Sequence, residues 1–313
     1  MKRTGIKILI LLVALVSVIK VYYVMGDHKF KLEYEQMKRE GFMNYEIKTS
    51  IEHKTLTLNE NVIHYYVSGE HDKPVVLFLH PAFVDHTCFY KQVDFFSQEF
   101  RVITIDLIGH GLSEVRNNKD KIDKSTEHIL EILNAESIDK LHIVGVSMGA
   151  LIAQHFTLKH PDRILSLTSL GGYNINKINK SIEKSQRKEM LSWIIRVLFS
   201  MDSFRRYVGA TVGIKKEEQI KLYESAQGFS RKSFTIMPGL NKLIENRPGP
   251  FRDYPLLIIA GEKDNDLAKQ MAKIWHSEEP DSKFYIIEQA GHCANMDNPE
   301  SFNEIVYNTI KDI

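Results

Sequence analysis

From Pro74 onward the chain carries six short apolar runs, "PVVLFLH", "RVITIDL", "LHIVGV", "ILSLTSL", "PLLIIAG" and "KFYIIEQ". They are continuous rather than alternating, as in strands that a sheet buries on both faces. Helical patterns separate them at Cys88–Gln98, Lys121–Asn134, Met148–Lys159, Asp266–His276 and from Pro299 to the end. Upstream, Lys54–Leu58 and Val62–Val67, joined through "NEN", read as a hairpin. Strand–helix alternation with buried strands predicts an α/β class: a mostly parallel sheet with helices on both faces.

Two segments depart from this alternation. From Tyr173 to about Pro250 no strand pattern appears, but helical ones do, including "KEMLSWIIRVLFSM" and "KEEQIKLYESAQGF". This predicts a helical cap over about 173–250, lying across the carboxyl edge of the strands, where open α/β sheets bind ligands. The other is the N-terminus. Lys2, Arg3 and Lys7 precede an apolar run from Ile8 to Ile19, and Ile6–Met25 is long enough to span a bilayer if Lys20 snorkels and Tyr22 and Tyr23 sit at the interface. Residues 1–26 are therefore expected to be a membrane anchor or signal segment, and 27–313 the folded body. Val24-Met25-Gly26 is a poor cleavage site, which favours a retained single-pass anchor over a cleaved signal with a secreted body. The basic residues before the run favour an extracytoplasmic body, and Lys29, Lys31, Lys38 and Arg39 after it weaken that bias.

One apolar run is interrupted in an informative way. In "IVGVSMGALIA", Ile143 to Ala153, a serine stands between two glycines at the junction of a strand and a helix. A nucleophile at so tight a bend needs neighbours without bulk, and Gly145 and Gly149 supply them. The context is that of a nucleophile elbow presenting Ser147 at a helix N-terminus.

A serine hydroxyl needs a base, and the base an orienting carboxylate. His292, in "EQAGHCANMDNPE", falls in a loop between the last strand and the last helix; Asp264, in "LLIIAGEKDND", falls just past the preceding strand. Asp266 is the second candidate for the acid. His28, His53 and His71 flank the sheet, and His142, His155 and His160 lie within or next to strands and helices, where packing or solvation suits them. Developing oxyanion charge calls for two backbone donors. These are expected at Met148, after the nucleophile, and at Ala82 in "HPAFVDH", with Phe83 as the alternate; Pro81 has no N–H.

These residues carry a resemblance. "GVSMGA", "AGHCANMDNPE" and "DLIGHGLS" (Asp106 to Ser113) are similar to the motifs of α/β-hydrolase fold serine hydrolases, in the branch of small esterases and monoacylglycerol lipases. The resemblance covers about Val62 to Ile313. His-Pro stands where His-Gly is usual, and Ala150 where a third glycine is usual. It implies an ester hydrolase with a Ser147–Asp264–His292 triad, acting on a small-molecule ester and needing no cofactor or metal. A carbon–carbon hydrolase, lactonase or perhydrolase uses the same triad, and a non-catalytic receptor shares the fold.

Composition narrows the alternatives. A formal net charge of +1 leaves no basic footprint for nucleic acid. Cys88 and Cys293 make neither a disulfide framework nor a zinc cluster, and no H-E-x-x-H occurs. Within the cap, Trp193, Ile194, Ile195, Val197, Leu198, Phe199, Phe204 and Tyr207 form an apolar series, most of it for packing. Phe83, Trp193 and Phe199 are expected to line an acyl pocket, favouring lipophilic esters such as monoacylglycerols.

Overall fold

The computed structural model describes residues 2–41, 45, 47–117, 119–248, 252–279 and 281–313. In chain order the elements are α1 (Lys2–Arg39), β1 (Glu52–Leu58), β2 (Asn61–Ser68), β3 (Val75–Leu79), α2 (Tyr90–Phe96), β4 (Arg101–Ile105), α3 (Ser125–Ala135), β5 (Leu141–Val146), α4 (Met148–Lys159) and β6 (Ile164–Leu170). There follow α5 (Lys180–Phe199), α6 (Met201–Val212), α7 (Lys216–Ser225), β7 (Leu256–Gly261), α8 (Asp266–Glu278), β8 (Lys283–Ile287), α9 (Ala294–Asp297) and α10 (Pro299–Ile310).

Eight strands form one sheet in the order β1-β2-β4-β3-β5-β6-β7-β8, and only β2 runs against the rest. The β1–β2 hairpin turns on Asn59 and Glu60, both at positive φ (48° and 72°), the pairing that matches a two-residue turn to strand twist. Each central strand divides its side chains between two cores. Leu77, Leu79, Ile103 and Ile143 meet Ile129 and Ile132 of α3, Phe156 of α4 and Trp275 of α8. On the other face Val76, Phe78, Val102 and Val144 meet Val93 and Phe96 of α2 and Phe302 and Val306 of α10. Burial on both faces is why these strands read as unbroken apolar runs. Because they are parallel, β3, β5, β6, β7 and β8 all end on one edge, which gathers the loops that follow them.

Between β6 and β7 lie α5, α6, α7 and short 3₁₀ turns, and among the described residues no strand. The expected end of this insert, near Pro250, lies outside the described residues.

The N-terminal expectation is corrected. Among the described residues no helix is long and apolar enough to cross a membrane, so the single-pass anchor, and the localisation built on it, do not stand. The physical reason is the composition of α1. Lys20 interrupts its apolar stretch, and the helix continues without a break through Gly26 into a polar, protein-bound half. There Tyr23 stacks on Phe199 at 5.7 Å and Phe30 meets Tyr223 at 4.7 Å. Asp27 pairs with Arg206 at 2.5 Å and accepts from Ser200, and Tyr34 donates to Glu224 at 2.7 Å. These residues recur at intervals of four, three and four, one stripe of a helix, and it packs on the insert.

Candidate active site

Ser147 lies between β5 and α4 with φ +52° and ψ −114°. A non-glycine residue held there costs on the order of 1–3 kcal/mol, so its surroundings must impose the conformation. They do so from both sides. The Ser147 N–H donates to Leu170 O of β6 at 2.8 Å, fixing the bend to the neighbouring strand. A Cβ on Gly149 would sit 2.1 Å from Leu79 O, and one on Gly145 would sit 2.5 Å from Ala150. Only glycine lets α4 approach β3 and β5 this closely. Met148 opens α4, so its N–H is among those with no acceptor inside the helix, and the helix N-terminus favours negative charge.

Two loops bring the partner groups to the same edge. His292 Nδ1 donates to Asp264 Oδ2 at 2.8 Å, and Asp264 is 5% exposed. Its other oxygen accepts from the Asn265 backbone N–H at 2.7 Å and the Asn265 side-chain amide at 3.1 Å. This arrangement puts the imidazole proton on Nδ1 and the lone pair on Nε2. Asp266, the alternative acid, points to solvent and pairs with Lys269. The ring packs on Gly171, where a Cβ would lie 2.8 Å from His292 Cε1; Gly171 follows Leu170, the acceptor for Ser147 N–H. Serine backbone and imidazole are thereby referenced to one turn at the end of β6. Burial alone would lower the His292 pKa, but the charge and hydrogen bond of Asp264 and the charge of Glu189 raise it above 6.5. Asp297, fully buried, holds the histidine loop by accepting from Gly291 N–H at 2.9 Å and Ile214 N–H at 3.0 Å.

The loop after β3 is set by His80. Its Nε2 accepts from Leu107 N–H at 3.0 Å, so its Nδ1–H donates to Pro81 O at 2.8 Å. Burial lowers its pKa, which keeps the ring neutral and the tautomer fixed. The loop then passes Ala82 and turns at Phe83, φ +75°. Phe83 sits at the centre of an aromatic cluster with Trp193 (4.8 Å), Phe204 (5.1 Å), Phe229 (5.0 Å) and Phe234 (6.0 Å). The insert therefore covers this loop. Of the three residues expected in a pocket, Phe83 and Trp193 meet, whereas Phe199 faces α1 and stacks on Tyr23.

The loop "DLIGHGLS" braces this region from below. Asp106 accepts from His86 N–H (3.1 Å), His86 Nδ1 (2.7 Å), Leu112 N–H (2.9 Å) and Tyr66 OH (3.2 Å). Burial pushes the other way, but these bonds hold its pKa down to about 2. Asp85, His86 and Asp106 have ligand atoms within 4.8 Å of one another. However, the Asp85 carboxylate also accepts from Thr87 and Ser225, so protein donors already engage both acids. Cys88 and Cys293 are free and buried, and burial pushes both thiols up. His142 and His155 are also held near 4 by burial, in keeping with packing.

Three positions escape a reading of the sequence: His80 as the brace of its loop, Asp297 as the brace of the histidine loop, and Glu189, whose charge reaches His292 from the insert. Asp297 carried a faint signal, being an acid amid the small and apolar "GHCANM" stretch. Glu189 carried none, as one charge among many on a polar helix.

Comparison with known proteins agrees with this fold. A family profile described as alpha/beta hydrolase fold matches residues 74–299, well over half of the chain. The 3-oxoadipate enol-lactonase 1 of Acinetobacter baylyi is 26% identical over 256 residues, covering 79% of this chain and 92% of its own. An uncharacterized carboxylesterase, nap, of Bacillus subtilis is 24% identical over 257 residues, covering 78% and 81%. Among solved structures, a bacterial membrane phospholipase A superposes with a TM-score of 0.67 at 18% identity, covering 100% of this chain and 99% of its own. A histidine bonded to a buried acid, its ring on the turn that holds the strained serine at the carboxyl edge of an eight-stranded sheet, is thus accompanied by a profile match over most of the chain: this protein is a hydrolase belonging to the alpha/beta hydrolase fold family.

Proposed function

We propose that the protein is a carboxylic ester hydrolase acting through an acyl-enzyme on Ser147. The observation that carries the reading is the 2.8 Å Asp264–His292 bond, which leaves Nε2 unprotonated on a ring that packs on Gly171, the residue after the Leu170 carbonyl that holds the strained serine turn. His292 Nε2 takes the Ser147 proton as Oγ attacks the ester carbonyl. The backbone N–H groups of Met148 and Ala82 receive the oxyanion. The resulting imidazolium, steadied by Asp264, gives its proton to the leaving alcohol. Water then enters on the same side and attacks the acyl carbonyl as His292 takes its proton; the acyl–Oγ bond breaks, His292 returns the proton to Ser147 Oγ, and the acid leaves. Each step uses side chains and backbone alone.

The aromatic cluster about Phe83 supports an apolar acyl group, such as that of a monoacylglycerol. The likeness to a protein titled a phospholipase A points the same way. Glycerol monoesters of graded acyl length test the reading. Each buried methylene contributes roughly 0.8 kcal/mol, so kcat/KM is expected to climb several-fold per two-carbon step before levelling. Preference for acetyl over octanoyl esters would refute the lipophilic assignment. A lactonase is the second reading, favoured by the relative named 3-oxoadipate enol-lactonase 1; turnover of lactones well above that of open-chain esters would select it.

A further inference from the structure

Helix α5 crosses the catalytic edge with one face inward. Gln186 Nε2 donates to Tyr173 OH at 3.2 Å, and Trp193 meets Phe83 at 4.8 Å. Glu189 lies three residues after the first and four before the second, on the same helical stripe. At one end of that stripe, Tyr173 stands two residues past Gly171, which packs on His292. At the other, Phe83 adjoins Ala82. Glu189 therefore overhangs the gap between the histidine and the loop after β3. Its charge acts on His292, and the charge of His292 acts on it. The side chain is open to water, yet enough protein flanks it that partial burial raises its pKa. Among the described residues, the charged groups that act on His292 are Asp264 and Glu189, both acidic. Asp264 is occupied at Nδ1, behind the ring. Glu189 approaches from the insert, the direction from which a substrate must enter.

In the mechanism above His292 hands its proton to the leaving alcohol, so the alcohol portion of the ester lies on the histidine side. The aromatic cluster takes the acyl portion. A carboxylate above the histidine accepts charge-assisted hydrogen bonds from hydroxyls and repels another carboxylate. Rejection of like charge is as much a source of specificity as attraction. We infer that Glu189 is a specificity-determining residue that selects acyl esters of uncharged, hydroxyl-bearing alcohols and excludes esters carrying an acid group beside the scissile bond. This rests on the ester-hydrolase reading given above.

The test compares two esters of one acyl chain, monooctanoylglycerol and the octanoyl ester of glycolic acid. The readout is the ratio of kcat/KM for the acidic ester to that for the glycerol ester, so that intrinsic reactivity cancels between variants. Glu189→Gln, which removes charge at constant size, is expected to raise the ratio about tenfold, equivalent to about 1.4 kcal/mol. Glu189→Lys is expected to raise it further. Glu183→Gln makes the same change of net charge six residues earlier, in the first turn of α5 and about 9 Å along the helix, and is expected to leave the ratio at the wild-type value. Fluorophosphonate labelling of Ser147 in each variant reports that the site is intact. If labelled, active Glu189→Gln and Glu189→Lys keep the wild-type ratio, the assignment of Glu189 is overturned while the hydrolase reading survives. If wild type neither labels nor cleaves either ester, the hydrolase reading fails and this inference with it.

Discussion

Replacing Gly149 by alanine tests whether the close approach of α4 to β3 is what aims Ser147. The added Cβ would lie 2.1 Å from Leu79 O, whereas a comfortable C···O contact is about 3.3 Å. Neither partner is the tip of a flexible side chain: one is a strand carbonyl and the other a helix backbone. Relief therefore requires helix and strand to part by about 1 Å. Overpacking of this kind costs up to about 3 kcal/mol, which for a large domain lowers Tm by about 6–12 °C. Because Ser147 stands at the head of α4, the same displacement moves its Oγ, and a misplacement of about 1 Å costs on the order of 100-fold in rate. Thermal unfolding and kcat on a chromogenic ester, measured well below the lowered Tm, separate the two effects. Gly209→Ala is the control. Its Cβ would lie 2.3 Å from Gln219 O, a comparable backbone clash between α6 and α7, away from the serine turn. It is expected to lose stability with a far smaller loss of kcat. A Gly149→Ala protein with wild-type Tm and kcat, or equal loss of kcat in both variants, would refute the argument.

Three further outcomes follow from the site. Asp264→Asn should fold and bind substrate but lose on the order of 10⁴ in kcat, because the amide holds the imidazole in the wrong tautomer; kinetics of Asp266→Asn beside it should be near wild type, and the reverse order would relocate the acid. The base must be neutral to act and its pKa is raised above 6.5, so activity is present above that pKa and lost as pH falls through it; kcat/KM should show an acid limb centred above pH 6.5, and a rate flat down to about pH 5 would count against a histidine base. His80→Ala leaves Leu107 N–H and Pro81 O without their partner, for a loss of about 1–3 kcal/mol by denaturant titration, together with a fall in kcat as the Ala82 loop loosens; unchanged stability would remove His80 as the brace.

How much of this was legible depended on whether the physics was local. The central strands were, because residues such as Val76–Leu79 and Ile143–Val146 are apolar on both faces and the sheet buries both. Helix α4 matched its expected bounds, since the elbow glycines and the first helical residue are adjacent in sequence. The helix expected at Cys88–Gln98 instead begins as a 3₁₀ turn over His86–Phe89, capped by Asp85, before α2. Asp264 and His292, which the structure joins by a hydrogen bond, could be singled out because each lies in a loop after a strand whose end the pattern marks.

The N-terminus was misread for a reason of the same kind. An apolar count over Ile6–Met25 weighs residues such as Leu11 and Tyr22, which are exposed, and overlooks the stripe of Tyr23, Asp27, Phe30 and Tyr34. That stripe mixes aromatic and charged groups, so its meaning appears only when Phe199, Arg206, Tyr223 and Glu224 of the insert are beside it. Glu189 was invisible on the same ground: the group its charge acts on, His292, is far away in the chain.

The central claim is that Ser147 is the nucleophile. Intact mass spectrometry after reaction with a fluorophosphonate tests it most directly. Wild type is expected to gain one phosphonyl group, located on Ser147 by peptide mapping, and to lose esterase activity in step. Ser147→Ala is expected to gain none and to lose activity by several orders of magnitude. A Ser147→Ala protein that is still modified stoichiometrically, or that still hydrolyses esters at the wild-type rate, would contradict the account.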